Sequence, residues 1–179
     1  GIIGMGYVGL PLALRFSEAG FRVTGFDLDP AKAETIADRQ SYFAHIADSR
    51  ISAAVDCGLA VTSDMALTAE CDAIIICVPT PLGTHQEPDL SFIRGSMGTL
   101  VKYLRPGQVV CLESTTYPGT TDEEIVPRAE QAGLNVGEDV FVVYSPERED
   151  PGNQTFHTQT IPRVVGGVTP ASLEVGRVL

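Results

Sequence analysis

Gly1-Ile-Ile-Gly-Met-Gly-Tyr-Val-Gly-Leu-Pro-Leu-Ala-Leu-Arg-Phe16 decides the fold of this chain. An apolar run breaks at glycines and resumes with helical spacing, which reads as strand, tight turn and helix. Gly4, Gly6 and Gly9 stand at G-x-G-x-x-G spacing. The first glycine permits a sharp turn out of the strand, the second lets a pyrophosphate approach the backbone, and the third lets helix and strand pack closely. The free N–H groups and the positive dipole end of the following helix then face a diphosphate. Three glycines so close together also fit a plain turn, so the weight falls on what surrounds them.

Working outward, a second strand, Phe21-Arg-Val-Thr-Gly-Phe-Asp27, ends in an acid. Asp27 falls near the spacing, roughly 20 residues after the glycines, expected of a carboxylate on an adenosine ribose. There it would accept hydrogen bonds from the ribose hydroxyls and repel a 2′-phosphate, favouring NAD over NADP; the alternative is an ordinary exposed acid at a strand end. Asp29 and Pro30 start a helix to about Asp38, by capping and by the fixed φ of proline. Lys32 on its first turn lies near the adenosine end or is simply solvated. Residues 39 to 50 read as loop, Arg50 to Asp56 as a short helix, Leu59 to Thr62 as a strand and Met65 to Ala69 as another short helix.

Asp72-Ala-Ile-Ile-Ile-Cys-Val-Pro79 is apolar on both faces, as expected at the centre of a parallel sheet covered on each side. It runs into a polar loop over Thr80 to Asp89. A helix over Leu90 to Leu104, a strand over Gln108 to Thr115, a helix over Asp122 to Ala132 and a strand over Asp139 to Ser145 follow. A strand over Ile161 to Val165 and a helix over Pro170 to Leu179 complete the chain. This alternation predicts an α/β fold, a doubly wound parallel sheet of Rossmann type with helices on both faces, over residues 1–179 as one domain.

Composition sets limits. The 179 residues carry a formal charge of −11, which disfavours nucleic acid and anionic membrane surfaces. No apolar run approaches the roughly 20 residues of a membrane span, and no basic-then-apolar leader opens the chain. A cytoplasmic protein is the default, although the chain starts without methionine and an upstream segment is left open. Cys57, Cys71, Cys77 and Cys111 form no C-x-x-C pair, and His45, His85 and His157 are scattered, so no metal site is expected. Cys71, Cys77 and Cys111 read as reduced core thiols.

Three strand-end segments should converge over the glycine loop: Val78-Pro-Thr-Pro81, Glu113-Ser-Thr-Thr116 and Tyr144-Ser-Pro-Glu147. With them the chain resembles the amino-terminal domain of the UDP-glucose/GDP-mannose dehydrogenase family over essentially its whole length. Ser145-Pro-Glu-Arg-Glu-Asp-Pro-Gly152 is most similar to the members that oxidise N-acetylated sugar nucleotides, with UDP-N-acetylglucosamine the implied substrate. The resemblance implies a two-step, NAD-dependent oxidation of a sugar 6-hydroxyl to a carboxylate, a place in polysaccharide biosynthesis, and a homo-oligomer at full length. It implies cofactor contacts for Gly4, Met5, Gly6, Tyr7, Val8, Gly9, Asp27, Lys32, Thr80 and Thr115. It also implies that Thr115 and Glu147 handle water and protons.

A partly buried carboxylate suits that task because it can take a proton from water and return it. Without the resemblance, Glu147 reads equally as a capping or surface acid. Some relatives carry a second acid where this chain has Pro151, and Glu149 and Asp150 do not align with it. Arg148 reads as a substrate-orienting cation or as half of a structural ion pair. None of the four cysteines has the glycine-flanked context of the family's nucleophile, so no covalent step is assigned. The chain therefore reads as part of a dehydrogenase, with the central helix and sugar-nucleotide domain elsewhere, or as a stand-alone, non-catalytic NAD-binding module.

Overall fold

A computed structural model describes residues 1–83, 87–147 and 163–179. The readings made for Arg148, Glu149, Asp150 and Pro151, and for the first two residues of the strand expected at Ile161, lie outside them. The opening stretch forms β1 (Ile2–Ile3) and α1 (Gly9–Glu18). Leu10, Leu12, Ala13 and Leu14 bury the inner face of α1, and Gly20 turns the chain out of it with φ +93°. β2 (Thr24–Phe26) is shorter than the run from Phe21 suggested. α2 (Pro30–Ala37) begins as its sequence dictates: Asp29 accepts a hydrogen bond from the Ala31 amide, and proline occupies the first turn.

α3 (Asp48–Asp56), β3 (Ala60–Thr62) and a 3-10 turn at Met65–Glu70 lead to β4 (Ala73–Ile76). α4 (Ser91–Leu100) stops a turn earlier than the pattern to Leu104 predicted, and β5 (Gln108–Leu112) follows. The helix expected from Asp122 instead opens as a wide π turn, Thr121–Ile125, before α5 (Val126–Gln131). Pro127 sits at that junction and has no N–H to give, so the regular ladder of backbone bonds cannot run through it. β6 (Val140–Tyr144), β7 (Gly166–Gly167) and α6 (Pro170–Gly176) end the order.

The sheet runs β3-β2-β1-β4-β5-β6-β7. The first six strands are parallel, with Ile2 beside Gly25 on one side and Ile75 on the other. Among the described strands β7 alone is antiparallel, pairing Gly166 with Tyr144, so it falls on the glycine pair rather than on Val164 and Val165 before it. Alternate residues of each central strand feed two separate cores. Ile2, Ile75, Val109 and Val143 pack with α1 and α3 residues such as Leu10, Leu14 and Ile51. Ile3, Ile74, Ile76, Val110 and Val142 pack with Ile93, Met97 and Ile125 on the other face. Burial on both faces explains the unbroken apolar runs. Between β1 and β4 the connections reverse direction along the sheet, which opens a crevice at the strands' carboxyl ends.

Candidate functional site

A cleft of about 900 Å³ occupies that crevice. Its floor is the glycine loop. Gly4 has φ +92°, and a Cβ there would lie 2.8 Å from the Cys77 carbonyl oxygen, so both conformation and crowding demand glycine. A Cβ on Gly9 would stand only 1.9 Å from the Gly4 carbonyl oxygen. Gly6 differs: a Cβ built there meets nothing within 4 Å, so its bare backbone faces the open cleft. No side chain caps α1 and its first turn carries no acid, which leaves its amino end open to an anion.

One end of the cleft is set by Asp27. The Met5 amide donates to its Oδ2 at 2.8 Å, the Asp29 amide to its Oδ1 at 3.0 Å, and Lys32 Nζ to its Oδ2 at 2.7 Å. Burial pushes this carboxyl up, but the Lys32 and backbone hydrogen bonds outweigh it and hold the group below the usual aspartate value. Tyr42 then donates its hydroxyl to the Met5 carbonyl at 2.7 Å, so both sides of the Met5 residue are tied and the loop is braced from behind.

The other end lies over β4, β5 and β6. Thr80 donates its hydroxyl to the Thr115 carbonyl at 2.6 Å, and Ser114 donates to the Val78 carbonyl at 2.7 Å, which locks the two strand-end loops together. Beyond them, Arg163 spans two carboxylates: Nη1 donates to Glu113 Oε1 at 2.6 Å and Nη2 to Glu147 Oε2 at 3.1 Å. Glu113 is only 4% exposed, and burial pushes its carboxyl up to about 7, with Arg163 opposing and Glu147 adding to the rise. Burial also pushes up the thiols of Cys77 and Cys111, the latter to about 12, so both are neutral at physiological pH.

The cleft gathers Gly4, Gly6, Tyr7 and Val8 with Asp27 and Lys32 at one end, and Thr80, Thr115 and Glu147 at the other. Met5 and Gly9 are not on its wall. Met5 is fully buried with its amide given to Asp27, and Gly9 backs onto Gly4, so both shape the loop. Sequence reasoning passed over Glu113 as part of a motif and gave Arg163 no role. The position of Glu113 directly after the apolar run Val109–Leu112 is a usable sign of burial; nothing local marks Arg163 as its partner. Among the described residues, no group of three or more His, Cys, Asp or Glu could hold a metal ion, and no helix is long and apolar enough to cross a membrane.

A glycine-lined diphosphate cradle at the switch point of a parallel sheet, with an acid at the end of β2, defines a dinucleotide-binding domain of the dehydrogenase type. Its lineage is specific. The profile of the UDP-glucose/GDP-mannose dehydrogenase family, NAD binding domain, matches residues 1–179, and the chain belongs to that family. It is 37% identical over 175 residues to Protein CapL of Staphylococcus aureus, covering 97% of this chain and 40% of that protein. It is 34% identical to the UDP-N-acetyl-D-glucosamine 6-dehydrogenase of Pseudomonas aeruginosa, covering 97% of this chain and 41% of that enzyme. The crystal structure of the NDP-N-acetyl-D-galactosaminuronic acid dehydrogenase of Methanosarcina mazei superposes with a TM-score of 0.87 at 31% identity, over 97% of this chain and 39% of that one. The chain thus spans about 40% of the length of these relatives. Its cofactor is NAD.

Proposed function

We propose that residues 1–179 are the cofactor-binding domain of a nucleotide-sugar 6-dehydrogenase, with UDP-N-acetylglucosamine as the substrate. The observation that carries this reading is the convergence of Asp27, the Gly4–Gly9 loop, Thr115 and Glu147 on one cleft. Asp27 receives the adenosine ribose, Gly6 and the amino end of α1 the diphosphate, and Thr80 and Thr115 flank the nicotinamide end. NAD held there would supply the hydride acceptor for oxidation of the sugar carbon. Thr115 positions water, and Glu147, which also lines the cleft, takes a proton from that water during oxidation of the aldehyde. In this reading the nucleophile and the remaining sugar-nucleotide contacts come from residues outside 1–179. The relatives include a UDP-N-acetyl-D-mannosamine dehydrogenase as well, 34% identical over 94% of this chain.

The test is turnover by the whole protein with UDP-N-acetylglucosamine, UDP-N-acetylmannosamine, UDP-glucose and GDP-mannose. Two NADH per sugar, fastest with UDP-N-acetylglucosamine, is the expected result. No NADH with any of the four would refute the reading, and preference for the manno sugar would correct the substrate.

Asp27→Ala separates the roles at the adenosine end. It removes a charge-assisted acceptor for the ribose hydroxyls and frees Lys32 Nζ from its 2.7 Å partner. NAD affinity should fall at least tenfold, about 1.5–3 kcal/mol, while NADP binding improves because the freed ammonium faces the 2′-phosphate. Calorimetry with both cofactors reads this directly, and equal losses for NAD and NADP would contradict it.

A further inference from the structure

Glu113 takes no part in the steps above, yet it lines the same cleft as Glu147. One of its oxygens accepts from Arg163; the other, Oε2, is buried without a hydrogen-bond partner among the described residues. A buried carboxylate with one oxygen unsatisfied is costly unless something else supplies positive charge or it takes a proton. The groups facing it are the Arg163 cation, the Glu147 carboxyl and the neutral thiols of Cys77 and Cys111. Among the described residues, the cation bonded to Glu113 is Arg163, which also bonds Glu147. Asp27 and the glycine loop place the adenosine and diphosphate at the opposite end and centre, so a dinucleotide lying along the cleft brings its nicotinamide ring here. That ring is a cation in NAD⁺ and uncharged in NADH.

We propose that Glu113 is a proton-linked partner of the cofactor's redox state: its carboxylate stabilises the charged ring of NAD⁺, and the group takes up a proton once the ring is reduced. The inference rests on the cofactor placement given under Proposed function. In the alcohol oxidation a hydride, with its electron pair, leaves the sugar carbon for the ring, and the hydroxyl releases one proton. Glu113 holds one proton equivalent until NADH departs, then releases it to water as NAD⁺ returns. Its carboxyl, pushed up to about 7 by burial, can hold either state at neutral pH. Arg163 keeps it from staying permanently protonated.

Calorimetric titration of the whole protein with NAD⁺ and with NADH, from about pH 6 to about pH 8.5, tests this without turnover. The diphosphate is common to both cofactors, so it cancels in the ratio of their affinities. Rising pH ionises Glu113, so NAD⁺ should gain on NADH by about tenfold across the range, and Glu113→Gln should flatten the ratio. If Glu113→Gln does not fold, wild-type titrations in two buffers of different ionisation enthalpy replace it: near pH 7, NADH binding should take up more protons than NAD⁺ binding. A pH-independent ratio in wild type, an undiminished slope in Glu113→Gln, or equal proton uptake for the two cofactors would overturn the proposal. Failure of both cofactors to bind at any pH would instead overturn the cofactor placement on which it rests.

Discussion

Gly9→Ala is expected to cost about 3 kcal/mol of stability and most of the NAD affinity. The added methyl would lie 1.9 Å from the Gly4 carbonyl oxygen, well inside contact distance, and that oxygen belongs to backbone. Relief requires the start of α1 to move away from β1, which opens a fully packed layer containing Ile2 and Leu10. The same motion tilts the amino end of the helix off the diphosphate. Gly6→Ala is the informative comparison, because a methyl there meets nothing within 4 Å among the described residues. It should fold with nearly wild-type stability and still bind NAD poorly, since the methyl occupies the ligand's approach. Urea unfolding and NAD calorimetry on both variants separate the two effects. Equal stability losses would show that the third glycine is not a packing requirement.

Arg163→Ala should destabilise the protein by about 3 kcal/mol, at the low end for a broken buried ion pair because the arginine side chain is 29% exposed. The loss should depend on pH, and its sign follows from Glu113. That carboxyl titrates near 7 in the folded protein, above the ordinary 4.5, so the folded state holds a proton that the unfolded chain gives up as pH rises between those values. Burial of Glu113 therefore weakens the fold progressively from acid toward neutral pH. Without the guanidinium the folded value climbs further and the weakening continues to higher pH. The gap between wild type and variant should be wider at pH 8 than at pH 5, as measured by urea midpoints. An equal gap at both would mean that Arg163 acts by packing alone.

The framework was legible because its causes are local. Apolar runs such as Ala73–Ile76 must be buried on both faces, Gly4 needs its positive φ, and Asp29-Pro30 caps and starts a helix whatever surrounds it. The Asp27–Lys32 pair is local in the same way: the two residues are five apart, and a single turn brings them together. What escaped depends on distance along the chain. Arg163 meets Glu113 across 50 residues, and only the reversal at β7 returns it to the cleft. Gly166 and Gly167 carry no side-chain pattern that would announce a strand, so pairing with Tyr144 was invisible. Met5 has a second role that its place in the motif does not announce: its amide is bonded to Asp27 and its carbonyl to Tyr42, so it braces the loop.

The order of strands gives the cleft a built-in ruler. From β2, which ends at Asp27, to β5, which leads into Glu113, the sheet takes three lateral steps through β1 and β4, about 14 Å at the usual inter-strand spacing. Backbone hydrogen bonds fix each step, so this span resists side-chain substitution and loop insertion alike. Ligand length is thereby gauged in whole strands: a molecule that satisfies Asp27 reaches Glu113 only if it is drawn out to that measure. A mononucleotide bound at Asp27 would stop short, however well its ribose and phosphate were held.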